Sequence, residues 1–246
     1  MLAGAAFSAA LGQPAKAVDE IQVYNAGIAA PGQFTIQQHL NYIPLGVKDP
    51  PFPGGLVSHN SINGTPEFAY GVTDWWEVGL YLPFAIQDQQ FLSNSFKLRT
   101  LFVSPNAGER NFFYGVNFEF SFNSKHWDTT HFTSEIRPIV GWHLGQWDLF
   151  INPILDTSYD GVKNLDFAPS LRLAYNISEN WAVAAEHYAD FGPVRKFLPG
   201  SEQSHQLFAV MDYSGEPFDV EAGVGFGLTN ASDHLTLKLI LSRDLN

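Results

Sequence analysis

Large apolar residues recur at every second position along most of this chain. From Trp76 onward, Trp76, Val78, Leu80, Leu82, Phe84 and Ile86 alternate with Glu77, Gly79, Tyr81, Pro83, Ala85 and Gln87. A period of two marks a β-strand with one apolar face and one mixed face. Phe68, Tyr70 and Val72 carry the same rhythm just upstream, and Thr73-Asp74-Trp75 between the two runs reads as a tight turn, so residues 65–86 form a hairpin. The cleanest run sets Phe112, Tyr114, Val116, Phe118, Phe120 and Phe122 against Phe113, Gly115, Asn117, Glu119 and Ser121. Continued along the chain, the pattern predicts about twelve strands, near residues 33–43, 60–72, 76–87, 96–103, 112–122, 132–144, 147–156, 170–177, 181–190, 204–213, 218–228 and 235–242.

The connections sharpen this. The Pro/Gly-rich stretch PLGVKDPPFPGG after the first strand cannot join a sheet. Residues 88–94 read as a polar loop. Turns after even-numbered strands are short, and connections after odd-numbered strands are mostly longer. An even strand number with short turns on one rim and long loops on the other is the layout of an antiparallel up-and-down transmembrane β-barrel. A soluble β-sandwich has alternating strands too, but no reason to alternate its connection lengths. Aromatic residues at Trp75, Trp76, Phe112, Phe113, Trp147, Trp181 and Phe218 all lie just beyond a short turn. They are expected to form the girdle at one membrane interface.

Composition agrees. Of 246 residues 15% are aromatic and only 15% charged, against about 25% charged in an ordinary soluble domain. Mean hydropathy is nonetheless near neutral, at -0.07, and no apolar run reaches the roughly 18 residues of a spanning helix. The formal charge of -12 argues against nucleic acid as a partner. There is no cysteine, which excludes thiol chemistry. Residues 1–17 read as a signal peptide, short at its start, with the apolar run LAGAAFSAAL leading to an Ala15-Lys16-Ala17 cleavage site. Residues 18–32 follow as an N-terminal extension, and the barrel occupies 33–246. The expected location is the outer membrane of a Gram-negative bacterium.

If the apolar face meets lipid, the opposite parity lines the lumen. The lumen-lining set is Glu67, Glu77, Lys97, Arg99, Glu119, Glu135, Arg137, Asp148, Asp156, Arg172, Glu186 and Lys238, with Gln37, His39, Asp212, Asp219 and Glu221 in phase. Glu77 is expected to pair with Arg99, Arg99 with Glu119, and Glu119 with Arg137. Such a ladder either fills and fixes the lumen or offers a polar track to a solute. One segment resembles a catalytic one. His59-Asn60-Ser61 with Asn63-Gly64 is similar to the H-x-S-N-G stretch of outer-membrane phospholipase, a barrel hydrolase, but Ile62 interrupts it here. We assign no catalytic residue and no cofactor. The remaining histidines show no metal-ligand spacing.

The hairpin itself carries a family resemblance. Tyr70-Gly71-Val72-Thr73-Asp74 followed by Glu77-Val78-Gly79 resembles a pattern in outer-membrane proteins described as transporters of the phenol meta-cleavage pathway, and residues 175–181 look like a looser copy. The resemblance implies a porin-like barrel for small, often aromatic compounds. The sequence thus leads to passive passage of small molecules, hydrophobic or aromatic ones among them, with membrane lipid as the surroundings. The alternatives are a closed structural or partner-binding barrel and a lipid hydrolase. A homo-oligomer or other protein partner is left open.

Overall fold

A computed structural model describes residues 20–246; the signal-peptide assignment falls on residues outside these. Sixteen strand segments form one closed sheet of twelve staves, four of which are split in two. In chain order they are β1 (Phe34–Leu45), β2 (Ser61–Thr73), β3 (Trp76–Tyr81 and Phe84–Gln87), β4 (Gln90–Ser93 and Phe96–Val103), β5 (Phe112–Phe122) and β6 (Phe132–Leu144). The round continues with β7 (Trp147–Asn152 and Leu155–Thr157), β8 (Asp166–Phe167 and Ser170–Asn176), β9 (Trp181–Asp190), β10 (Ser204–Tyr213), β11 (Asp219–Gly227) and β12 (Leu235–Asp244). Each stave pairs antiparallel with its sequence neighbours. β12 closes the ring on β1, with Thr35 opposite Asp244 and Leu45 opposite Leu235. Closure leaves no sheet edge to face lipid, where an unpaired backbone group costs several kcal/mol, about 2–7 by solvent-transfer scales.

Proline sets three of the four breaks. β3 is interrupted at Leu82-Pro83, β7 at Pro153-Ile154 and β8 at Ala168-Pro169, because proline has no N–H to give the ladder. The expected loop at 88–94 is corrected. Asp88 and Gln89 both adopt left-handed φ, 50° and 63°, and make a two-residue turn, so Gln90–Ser93 pairs back onto Phe84–Gln87.

The outer surface is the apolar parity: Phe68, Leu80, Leu98, Phe120, Leu171, Leu207 and Leu237 are all exposed. At the short-turn rim Trp75, Phe112, Trp147, Trp181 and Phe218 are exposed as a girdle. Their rings pack pairwise, Trp147 on Tyr175 and Trp181 on Tyr213 at 4.8 Å each. Phe113 leaves this group. It is fully buried on the inner face, against His143 and Phe150, since it belongs to the opposite parity from Phe112.

Phe113 rests on its register partner Gly141, whose missing Cβ would lie 2.1 Å from the ring's Cζ. Gly141→Ala is therefore expected to push the ring off the wall and cost about 1–3 kcal/mol. Urea unfolding of the refolded barrel measures this; an unchanged midpoint would show that the ring has room to move.

Candidate functional site

The lumen holds a segment of the chain. From Gln33 at the short-turn rim, residues 20–32 run backwards into the barrel. Gly32 N–H donates to Gly71 O (2.8 Å) and Gly71 N–H to Gln33 O (3.0 Å), with a parallel bridge between Pro31 and Gly71. Deeper in, Ala29 N–H donates to Glu77 Oε2 at 2.6 Å. Asn152 of β7 holds both backbone groups of Tyr24: Tyr24 N–H donates to Asn152 Oδ1 at 2.7 Å, and Asn152 Nδ2 donates to Tyr24 O at 3.0 Å. The Tyr24 hydroxyl donates to Glu20 (2.9 Å) and lies 2.6 Å from the Tyr81 hydroxyl, while the Arg137 guanidinium lies over the Tyr24 ring, 4.2 Å from its centre. Arg137 also donates to Gln22 O at 3.2 Å. The segment has no period-two pattern because it is not a strand. It meets its backbone hydrogen-bond needs on wall side chains instead.

Beneath it the inner wall is apolar. Val23, Tyr24 and Ala26 pack on Leu101, Val103, Phe113, Ile139 and Phe150, and Ile21 packs on Phe208 and Val210. These wall residues share the parity of the charged ones. Leu101 and Val103 follow Lys97 and Arg99, Ile139 follows Arg137, and Phe150 follows Asp148. The signal was present: on β4 and β6 the inward series turns from charged to apolar toward the short-turn rim. Its meaning depends on knowing what covers it.

The charged residues gather in two groups. In the first, Arg99 binds Glu67 (2.6 Å) and Glu77 (2.5 Å), and His39 Nε2 lies 3.5 Å from Glu67. Lys97, also buried, precedes Arg99 on the same face of β4. Glu119 does not pair with Arg99 as expected, although the two are register partners. It accepts from Asn117 (2.9 Å) and stands 3.4 Å from the Tyr24 hydroxyl. Arg137 likewise turns from Glu119 to a two-pronged bond with Glu135 (2.6 and 3.0 Å). The inserted segment redistributes the partners. It brings Glu20 to 3.9 Å from Arg137 and an amide to Glu77.

The second group joins β8 to β12. Lys238 donates to Glu186 and to Glu221 (2.6 Å); Arg172 donates to Glu186, to Asp212 and to Glu221 (3.2 Å). Tyr188 completes it with a 2.8 Å bond to Glu186. Lys238 and Glu186 stand three staves apart, so they can meet only through the interior. Asp148 lies apart at the short-turn rim, bonded to His143 (2.6 Å) and Asn176 (2.7 Å). Asp156 stands in the far half, opposite Glu135 and Asp166 in register.

Between the segment and β8–β12 lies a vestibule of about 400 Å³ at the short-turn rim, lined by Asn25, His143, Asp148, Arg172, Asp212 and Glu221 among others. At the opposite rim the β1–β2 loop reaches across the mouth. Leu56 N–H donates to His126 O (3.1 Å), Val57 N–H to Gln87 (2.9 Å) and Val47 N–H to Asp233 (2.8 Å). Phe52 and Trp127 are buried beneath it.

His59 and Ser61 do not form a nucleophile and base. His59 Nδ1 accepts the Gly46 N–H at 3.3 Å, and Ser61 donates to Ser58 O at 2.8 Å. Both tie down the start of β2, where Asn60 takes a left-handed φ of 56° and breaks the alternation that would put them side by side.

No family model and no curated protein matches the sequence. Among solved structures, the fold is similar to that of an outer membrane channel from Pseudomonas putida F1, with 12% identity, a TM-score of 0.63, and 92% of this chain and 100% of that one covered. It is also similar to the NanC porin, with 8% identity, a TM-score of 0.56, and 86% and 100% covered. With the closed ring and the apolar girdled exterior, this places the protein as a twelve-stave β-barrel of the bacterial outer membrane.

Proposed function

We propose that the protein is an outer-membrane channel for small apolar molecules, and that the segment from Glu20 to Gly32 is its internal gate. One observation carries this: the inner wall under the segment is apolar, at Leu101, Val103, Phe113, Ile139 and Phe150. A pore for ions or polar solutes has no use for such a lining, whereas an apolar solute would replace Val23 and Tyr24 against it without desolvating anything polar. The segment is held by hydrogen bonds, packing and the contacts of Glu20 and Tyr24 with Arg137, so it can be displaced as a unit. Small aromatic compounds fit the resemblance carried by Tyr70 to Gly79. The two charge groups lie beside this wall and tie its staves together across the interior.

The test has two parts. Cells bearing the protein should take up phenylnaphthylamine, which brightens on entering phospholipid, faster than cells without it. Equal rates would sink the reading. Asn152→Ala removes both anchors of Tyr24 and should enlarge the conductance steps of the refolded protein in a planar bilayer. If neither protein conducts, the barrel is closed and structural.

A further inference from the structure

Two histidines stand on the lipid-facing side of the wall. In the register of β9 and β10, His187 lies opposite Leu207 and His205 opposite Ala189. Leu207 is exposed to the outside, while Glu186 and Tyr188 meet in the lumen, so both imidazoles have the outward parity. Their height follows from the chain. Trp181 of the short-turn girdle is six residues from His187 and ten from Phe191. At about 3.3 Å per residue and a stave tilt of about 40°, Phe191 lies about 25 Å above that girdle, the height of the apolar band. The histidines lie about 5–10 Å lower by the same measure, at the top of the acyl chains.

The connection from β9 to β10 folds back over this spot. Gly192 turns it with a φ of 72°, and Leu198 N–H donates to Phe191 O at 2.9 Å. Phe197 then lies on the rings of Phe167 and Phe191, with centres 6.1 and 5.5 Å apart, and Phe191 meets His205 edge-on at 5.4 Å. Hydrogen bonds from this loop place the protons. Gln203 Nε2 donates to Leu198 O at 2.7 Å, so the other end of that amide, Oε1, accepts from His205 Nε2 at 3.1 Å. In the neutral pair His205 Nδ1 is therefore an acceptor, and His187 Nε2, 3.3 Å away, donates to it. The relay ends at His187 Nδ1, left as an acceptor on the lipid-facing side.

The same loop carries Arg195 and Lys196 immediately before Phe197. Among 13 Lys and Arg residues they are the only two adjacent in sequence. Both are exposed, and among the described residues neither has an ion-pair partner. Inside the barrel, by contrast, Arg99, Arg137, Arg172 and Lys238 are all paired. In a chain of net charge -12, two free cations side by side over an aromatic patch at the membrane interface match an anionic headgroup. The long loops of an outer-membrane barrel face away from the cell, so the leaflet at this rim is the outer one.

We propose that this face of β9 and β10, under the loop 191–203, is a binding site for one phosphorylated glycolipid of the outer leaflet, the lipid anchor of lipopolysaccharide. Arg195 and Lys196 take a phosphate, Phe197 lies along an acyl chain, and His187 Nδ1 accepts from a hydroxyl on a chain. The depths agree: the cations stand above the aromatic level and the acceptor below it. The site lies outside the lumen and does not depend on what the channel carries.

Native mass spectrometry of the whole refolded protein in detergent tests this by reading its affinity for diphosphoryl lipid A with hydroxylated chains. Arg195→Gln/Lys196→Gln should weaken binding about 30-fold, about fivefold for each cation. Dephosphorylated lipid A should bind the unsubstituted protein just as weakly and be indifferent to those substitutions. His187→Leu, which suits a lipid-facing wall, should weaken lipid A about fivefold and leave a phosphorylated lipid with plain chains unchanged. Lys48→Gln/Lys125→Gln, which removes cations on two other loops of the same rim, should change nothing. Full binding by the Arg195/Lys196 variant, full binding of dephosphorylated lipid, or an equal loss in the Lys48/Lys125 control overturns the site. Unchanged binding by His187→Leu overturns the hydroxyl contact. If inorganic phosphate at the lipid's own concentration displaces it, the loop holds a free anion and the lipid assignment falls.

Discussion

Lys238→Met should destabilise the barrel by about 3–5 kcal/mol, the usual cost of removing one partner from a buried ion pair. Lys238 is 3% exposed and lies between Glu186, fully buried, and Glu221. Without it, two carboxylates face each other across β9 and β11, and Arg172 is left to serve Glu186, Asp212 and Glu221 alone. The loss comes from the charges left behind, so it should shrink when one of them is removed. The double variant Lys238→Met/Glu186→Gln should therefore be more stable than Lys238→Met. Urea unfolding of the refolded protein, followed by tryptophan fluorescence, measures all three with Glu186→Gln. Additive losses would show that Lys238 acts by packing its methylenes rather than by neutralising the pair.

Which residues face inward was legible, because parity along a strand decides it. The run from Phe112 to Phe122 has the same bounds in the sequence pattern and in the structure, and Lys238 and Glu186 share the inner face as their parity requires. Who pairs with whom was legible only in part. Neighbouring-stave reasoning joined Arg99 to Glu77, as found, and to Glu119, in whose place Arg99 reaches Glu67. Pairing across a lumen depends on the contents of the lumen, and these come from a segment with no periodicity to announce it. Residues 20–32 carry no strand rhythm, no cap and no repeat. Their side chains matter less than their backbone, which is bound by Asn152, Arg137 and Glu77. The breaks were not legible either: the pattern ran strands through Pro83 and Pro153 without interruption, at 76–87 and 147–156, and the structure splits both there.

Gly71→Val should open the gate without touching a charge. The glycine belongs to the Tyr70-Gly71-Val72-Thr73-Asp74 run, where a turn alone would not require it. The structure supplies the reason. A Cβ at position 71 would lie 2.2 Å from Ala30 O and 2.4 Å from Ala29 O, both backbone atoms of the inserted segment. These cannot rotate away as a side chain can, so the segment must leave its docking with β2. Valine suits a strand, and its branches would project into the lumen, so the stave itself should persist. The expected result is a barrel that still assembles but conducts in larger steps. A thiol placed at Val23, in a chain with no cysteine of its own, reports the gate directly. Val23→Cys should resist a maleimide while Val23 stays packed on the wall, where it is 4% exposed, and react as an exposed thiol once Gly71→Val is added. Larger steps with the thiol still protected would mean that the pore widens elsewhere, and the segment would then be a lining and not a gate.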